Sequence, residues 1–228
     1  SEAVGARKVF TIINEYIKCT VPCIHANDGY VVSYLGDGIL AVFPGNSLSA
    51  ARAAIQMQEA FKETFRDRDD LPFPLELSIG IHDGPVMLGI LGHESRWDVS
   101  IIADAVNTSS RIEAMTRVLG GEIIVSRPFL KNAGDFSELS LRDLGQHDLR
   151  GRKGSLGLVE ILDSLDQEAL SLREKTTKDF EAGIAAYQSH EFYIAMSCFS
   201  RVLAKFPEDG ASRFYLDLVS KEISKRNR

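Results

Sequence analysis

Residues 30–44, which read YVVSYLGDGILAVFP, decide the fold. Two apolar runs flank a Gly-Asp-Gly centre, and Pro44 ends the second run. Runs of this kind around a short glycine-rich turn predict a β-hairpin. The pattern places Asp37 at the hairpin tip, between two glycines.

Regular patterns also lie on both sides of this hairpin. Apolar residues recur at helical spacing over 7–24 and 47–65, which predicts a helix before the hairpin and another after it. Residues 75–81 alternate between apolar and other side chains, which is typical of a strand. We expect 86–91 to be the hairpin partner of that strand, followed by a polar loop over 92–98.

The middle of the chain combines one further helix with several strands. A short apolar run over 99–102 precedes a helix that we expect over 104–117. Gly-Gly then leads into a strand over 122–125. Residues 127–165 are predicted to contain short strands, the last of them over 156–162.

The composition changes at Asp163, and the remainder is predicted to be helical over 166–189, 191–205 and 209–225. We therefore expect two units, a domain over 1–165 and a helical extension over 166–228. Four residues of the extension match the small, aromatic and proline positions of a tetratricopeptide repeat, namely Gly183, Ala195, Phe199 and Pro207. The alternative is a plain helical hairpin that packs on the first domain.

The overall composition excludes several classes of protein. The 228 residues are 44% apolar and 25% charged, which is ordinary for a globular protein and excludes a disordered chain. The net charge of −6 argues against a nucleic-acid partner, and no apolar run is long enough for a membrane segment. Three cysteines, Cys19, Cys23 and Cys198, predict core thiols in a reducing compartment. We expect a cytoplasmic protein or the cytoplasmic part of a membrane-attached sensor.

The hairpin tip is the first candidate for chemistry. Gly36 and its neighbouring glycine allow the backbone to approach a ligand closely. The carboxylate of Asp37 suits a hard cation such as Mg²⁺ or Mn²⁺. The alternative is a turn in which Asp37 only satisfies its own backbone.

The second candidate lies in the predicted helix over 104–117. Asn107 and Arg111 are four residues apart and so share a helix face. An amide and a guanidinium on one face can bind a ribose oxygen and a phosphate together. The alternative is an ordinary polar pair on the surface of a helix.

Taken together and in order, four strings resemble the class III nucleotidyl cyclases, the adenylate and guanylate cyclase catalytic domain. The strings are YVVSYLGDGILAVFP, LSIGIHDGPVMLGILG, WDVSIIADAVNTSSRIEA and LRDLGQHDLRGRKGSLGLVEILD. The resemblance implies an α/β (α+β) ferredoxin-like sandwich that works as a homodimer, with two active sites across the interface. It further implies conversion of ATP, or GTP, to a cyclic nucleotide and pyrophosphate with two Mg²⁺ or Mn²⁺ ions.

The resemblance also assigns roles to individual residues. Asp37 matches a metal-binding aspartate, Asn107 the asparagine that orients the ribose, and Arg111 the arginine that stabilises charge at the reacting phosphate. Asp104 lies in a stretch similar to the family's IGDTVN string, in which Ala103 replaces the glycine.

Three positions depart from the family pattern. Ser33 stands where the purine-selecting lysine is found, and Ser100 stands at the partner base-selecting position, so both should bind substrate but discriminate bases weakly. The family's other metal aspartate lies on a strand upstream of the first helix, in a string like FADIxxFT, and its position would fall before Ser1.

Two further functions remain open on the sequence. One is a catalytically inactive cyclase homologue that binds nucleotide or a partner in regulation. The other makes the helical extension a protein-interaction module on an inert scaffold.

Overall fold

The computed structural model describes residues 5–66, 68, 70–71, 74–93, 96–152 and 154–226; for Ala6, Leu91, 96–100 and Ile102 it describes the backbone only. In chain order the elements are α1 (Ala6–Ala26), β1 (Tyr30–Leu35), β2 (Gly38–Val42), α2 (Ser47–Phe65), β3 (Ile79–Ile81), β4 (Met87–His93), β5 (Arg96–Ile102), α3 (Asp104–Leu119), β6 (Ile123–Ser126), α4 (Arg127–Ala133), β7 (Leu141–His147), β8 (Leu156–Ile161), α5 (Gln167–Gln188), α6 (Phe192–Lys205) and α7 (Gly210–Arg226).

A four-stranded sheet in the order β3-β6-β8-β7 lies at the centre of the described residues. The β3–β6 pair is parallel and the other two pairs are antiparallel. Two separate antiparallel pairs, β1–β2 and β4–β5, complete the strands. This is the mixed α/β architecture expected from the sequence.

The central sheet is buried on both faces. Along β6, Ile123 and Val125 pack in one apolar cluster with α2 and α4, while Ile124 packs in a second cluster with α3 and α5–α7. Successive side chains of a strand point to opposite faces, so one strand serves both cores. The second cluster runs without interruption from α3 through the sheet into the extension. The division at residue 165 stays a prediction, but the extension packs as part of the same core.

The structure confirms the hairpin around Asp37, the helix over 47–65 and the three C-terminal helices, each to within a few residues. The strand predicted over 75–81 is confirmed only for Ile79–Ile81. Its predicted pairing with 86–91 is wrong, because β3 pairs with β6 and β4 pairs with β5. Seven residue pairs join β4 to β5, whereas 82–86 contains no strand residues.

Two other predictions are corrected. The segment predicted as a polar loop over 92–98 contains the end of β4 and the start of β5 at Arg96. The region 127–165 contains the short helix α4 besides its two strands, because the side chain of Ser126 accepts a hydrogen bond from Phe129 N and Pro128 occupies the first turn. Cys198 is buried, but Cys19 and Cys23 are only half-buried; all three are free.

No helix among the described residues is long and apolar enough to cross a lipid bilayer.

A buried ionic network joins the sheet to the extension. Arg142 on β7 donates to both carboxylate oxygens of Asp209, at 2.7 and 2.9 Å, and lies 3.6 Å from Glu160 on β8. Arg173 on α5 donates to the same Glu160 at 3.0 Å and to the carbonyl oxygen of Gly120 at 2.8 Å. Burial alone would raise the pKa of Asp209, but the adjacent Arg142 holds this pKa below its ordinary value.

This network yields a test of stability. Asp209→Asn keeps a side-chain acceptor for Ser212 N at the start of α7 but removes the carboxylate that pairs with Arg142 through two hydrogen bonds, so that only Glu160, at 3.6 Å, faces this buried cation. Breaking a buried pair in this way should lower the free energy of unfolding by about 3–5 kcal/mol. Urea denaturation followed by circular dichroism measures the loss. Asp179→Asn is the matched control, since its partners Arg201 and Lys205 are exposed and the cost should be about 1 kcal/mol or less. Equal losses would contradict the role given to the network.

Candidate functional site

The hairpin tip is an exposed two-residue turn. Leu35 and Gly38 face each other, so Gly36 and Asp37 form the connection, and Gly36 has a φ of 68°. A Cβ on Gly36 would meet nothing within 4 Å. Glycine is therefore favoured there by the left-handed backbone conformation and not by a close contact. The Asp37 carboxylate is exposed on the α1 side of the molecule. Burial, with smaller contributions from Cys19 and Asp37, raises the pKa of Tyr16 to about 12.

The structure describes the two predicted base-reading serines to different extents. Ser33 lies half-buried on β1 opposite Leu40, directly after a register shift that follows Val31. The backbone of Ser100 lies on β5 opposite Gly89, but its side chain is outside the described residues. Their proposed roles stay predictions.

Helix α3 carries both residues of the second predicted pair. Asn107 is exposed and Arg111 is half-buried one turn further along, while Thr108 and Ile112, which directly follow them, are buried. The Arg111 Nη1 atom is buried without a hydrogen-bond partner among the described residues. Its Nη2 atom lies 3.2 Å from where a Cβ of Gly151 would be, so Arg111 reaches the loop that follows β7.

The same loop supplies a residue that the sequence analysis did not select. Arg152 also has a buried Nη1 atom with no partner in the described part of the chain. Its backbone N–H donates to the carbonyl of Leu149 at 3.0 Å, which closes the turn around Gly151. The signal in the sequence was the string LRGRKG, in which basic residues alternate with glycine after a strand.

His82 lies beside this loop at the end of β3. Its Nδ1 atom is 2.7 Å from the hydroxyl of Ser126. Burial lowers the pKa of His82, and the positive charge of Arg152 lowers it further. His82 is therefore held neutral beside a cation.

We define Arg111, Gly151 and Arg152, with His82 next to them, as the candidate anion site. Two guanidinium groups with unsatisfied nitrogens attract an anion that can accept several hydrogen bonds, and a phosphate group meets that requirement. Asp37 lies on a different element, the tip between β1 and β2, whereas Asn107 and Arg111 lie on α3.

A second feature is an apolar cavity of about 520 Å³ between β2 and β3, which we call the strand cleft. Among the described residues β2 pairs only with β1, and β3 pairs only with β6, so each strand has one unpaired edge. Its walls come from both strands and from helix α2, and include Ile39, Ala41, Phe43, Ala50, Ala54, Met57, Ile79 and Ile81. A lining of this kind does not suit a triphosphate, because it contains no Lys or Arg.

The described residues offer only part of a donor set for a metal ion. The part of the chain that the structure describes contains no group of three or more His, Cys, Asp or Glu side chains that could hold a metal. Asp37 fits as one oxygen ligand, but a single carboxylate does not make a two-ion site. The residues described therefore fit part of such a site only.

Comparison with known proteins identifies the family of this chain. The family model described as "Adenylate and Guanylate cyclase catalytic domain" matches residues 1–160. An adenylate cyclase of Anabaena cylindrica is 34% identical over 170 residues, which are 71% of this chain and 34% of that protein. A terminal-differentiation-specific adenylate cyclase of Dictyostelium discoideum is 25% identical over 222 residues, which cover 94% of this chain and 10% of that protein.

Solved structures show the same fold. The guanylyl cyclase Cya2 is 28% identical, with a TM-score of 0.61 over 70% of this chain and 83% of that one. The adenylyl cyclase CyaB from P. aeruginosa is 22% identical, with a TM-score of 0.60 over 73% of this chain and 86% of that one. The chain spans about a third or less of the length of the Anabaena and Dictyostelium relatives. It belongs to the adenylate and guanylate cyclase catalytic domain family.

Proposed function

We propose that this domain converts ATP to cyclic AMP and pyrophosphate as part of a homodimer in cytoplasmic signalling. The observation that carries the proposal is the candidate anion site, where Arg111 and Arg152 each have a buried, unpartnered guanidinium nitrogen among the described residues. A triphosphate is a ligand that satisfies two such groups at once. The adenylate cyclase names of the relatives favour ATP over GTP.

The proposed reaction is an in-line displacement at the α-phosphorus. The ribose 3′-oxygen forms a bond to phosphorus, its proton leaves, and the bond to the pyrophosphate oxygen breaks. Asn107 would orient the ribose, and Arg111 would stabilise the charge that develops on the phosphate. A preorganised donor of this kind contributes about 10²–10³ in rate in comparable oxyanion sites. Arg152 would bind the departing pyrophosphate.

The family's dependence on Mg²⁺ or Mn²⁺ places one requirement on this chain. Bound ions would neutralise the triphosphate and activate the attacking hydroxyl. Asp37 is the residue that would hold such an ion, and a second carboxylate must come from another segment.

The strand cleft suggests where that second carboxylate enters. An extended segment seated in it could pair with the free edges of both β2 and β3 and join the hairpin to the central sheet. The apolar lining fits a strand that is buried on both faces. We propose that this strand carries the missing metal aspartate, as the family string FADIxxFT implies.

Homodimer formation is supported by exposed apolar side chains on β1 and β4. These side chains are Tyr34, Leu35, Met87, Leu88 and Ile90. Large apolar side chains left exposed on neighbouring positions of a strand are candidates for an interaction site. Asp37 of one subunit and Arg111 of the other could then act on one nucleotide.

An inactive homologue is the second candidate function. The observation that favours it is the single carboxylate at the hairpin tip, with no metal-binding cluster among the described residues. Such a protein would retain anion binding through Arg111 and Arg152 without turnover. The helical extension could then be the part that contacts a protein partner.

The anion site can be tested through His82. Inorganic pyrophosphate bound next to Arg152 would offset the positive charge that lowers the pKa of His82, so that pKa should rise toward its ordinary value. Proton NMR titration of the ring with and without pyrophosphate, in the absence of metal, measures the shift. In Arg152→Ala the pKa should start higher and pyrophosphate should move it less. A pKa that does not change on pyrophosphate binding to the unaltered chain would contradict the assignment.

Catalysis can be tested by supplying the missing strand. We expect negligible cyclic AMP formation by residues 1–228 and clear turnover by a longer chain that carries the upstream strand with its aspartate. In the longer chain Arg111→Ala should lower kcat by about 10²–10³ with little change in KM. Arg117→Ala is the matched control on the same helix, because Arg117 is exposed and forms an ion pair with Glu113 on the helix surface. Absence of turnover in the longer chain would favour the inactive homologue.

Base selection gives a separate prediction. With serine at positions 33 and 100, ATP and GTP should compete for the domain with affinities that differ by far less than the ~10⁴ of sites built to hydrogen-bond one substrate. Competition binding against a fluorescent nucleotide measures the ratio. A preference of about a thousandfold would show that other residues read the base.

A further inference from the structure

Helix α7 of the extension contacts the strand that leads into the candidate anion site. Tyr215 is fully buried, and its hydroxyl donates to the carbonyl oxygen of Leu144 on β7 at 2.8 Å. Its ring stacks on Phe199 of α6 with the centroids 5.1 Å apart and the planes at 10°. The hydroxyl is therefore held in place from within the extension and directed at the sheet.

The backbone of β7 is shaped around this hydroxyl. Gly145 follows a register shift after Asp143 and has a φ of 82°. A Cβ on Gly145 would lie 2.4 Å from the Tyr215 hydroxyl oxygen, so no larger residue fits without displacement. The bulge in β7 and the position of Tyr215 thus depend on each other.

The contact continues to the last residue of β7. The ring of His147 packs against Phe214 and Tyr215, with centroid distances of 5.5 and 5.8 Å. Its Nε2 atom lies 2.7 Å from the Leu144 carbonyl oxygen, which the Tyr215 hydroxyl also contacts. Because a carbonyl oxygen can only accept, Nε2 is the donor in this contact, and burial lowers the pKa of His147. Two donors from different elements therefore fix one carbonyl.

Only a few residues separate this carbonyl from the anion site. Leu149, two residues after His147, is buried in the core that the extension shares. Its carbonyl closes the turn to Arg152 N, and Gly151 within that turn contacts Arg111. The start of the turn is thus held by two anchors, the end of β7 and the buried side chain of Leu149.

We propose that Tyr215 is a positioning residue for the candidate anion site: its hydroxyl fixes the end of β7 and so sets where the turn presents Arg152 beside Arg111. The proposal rests on the proposed function, since it assumes that the two guanidinium groups bind phosphate. In this proposal the extension helps to shape the anion site within the same chain, and the role does not require a partner protein.

The test uses the full chain and inorganic pyrophosphate without metal, with affinity measured by isothermal titration calorimetry. Tyr215→Phe keeps the ring against Phe199 and removes only the hydroxyl. Loss of this hydrogen bond should weaken pyrophosphate binding by about two- to tenfold. Tyr193→Phe is the matched control, because Tyr193 lies on α6 with its side chain 69% exposed and should leave the affinity unchanged.

A double-mutant cycle distinguishes an effect of Tyr215 on the position of Arg152 from a general loss of stability. If Tyr215 acts through the turn, its loss should have little effect in an Arg152→Ala background, where the group that it positions is gone. The same fold-loss in both backgrounds would overturn the proposal, and so would an affinity equal to that of Tyr193→Phe. Circular dichroism at the assay temperature establishes that each variant is folded. Phe214→Leu, which loses the ring beside His147, should also weaken pyrophosphate binding. This variant is measured instead if Tyr215→Phe does not fold.

The outcome for the arginines distinguishes this proposal from the proposed function. If Arg111→Ala and Arg152→Ala bind pyrophosphate as tightly as the unaltered chain, the anion site itself is wrong and the positioning role falls with it. If they lose affinity and Tyr215→Phe does not, the anion site stands and only the positioning role is overturned.

Discussion

Four buried charges hold the two halves of this chain together. The guanidinium of Arg142 pairs with Asp209, and that of Arg173 pairs with Glu160 and the end of α3. Removing any one member leaves a charge in a low-dielectric core, which costs more than the intact network contributes. The sheet and the extension must therefore fold together, and the apolar core follows the same path from α3 to α7. The structure describes an extension that packs on the sheet through a shared apolar core.

This arrangement places the candidate site at the end of a rigid assembly. Helix α3 is pressed onto β3 at Gly80, where a Cβ would lie 2.2 Å from the Glu113 nitrogen. The other end of α3 contacts the start of α7 at Gly210. Arg111 lies within the first of these contacts, between Ser109 and Glu113, and its guanidinium reaches the turn around Gly151 from a helix that is packed at both ends. The hairpin tip has no such support among the described residues and carries its carboxylate at the surface.

Local patterns in the sequence predicted much of the fold. The hairpin, α2 and α5–α7 have strong periodicity and clear end signals, so their bounds could be predicted. The pairing of β3 could not be predicted. Its parallel partner lies far along the chain, with Ile79 opposite Ile123, and such a pairing leaves no local signal in the sequence. Asn107 and Arg111 were found through their spacing on one helix. Arg152 and Tyr215 were not identified from the sequence. Their proposed roles depend on contacts with residues that are distant in sequence and that only the fold brings close.

The strand cleft has a consequence for behaviour in solution. Free strand edges normally invite aggregation, and proteins protect them with charges, prolines or covering loops. In this chain the edges of β2 and β3 face each other across a cavity of about 520 Å³ instead of lying at the outer rim of a sheet. A single extended segment that enters the cleft could pair with both edges at once. The shape of the cleft thus disfavours the open-ended stacking of sheets that underlies amyloid, while it leaves room for one strand.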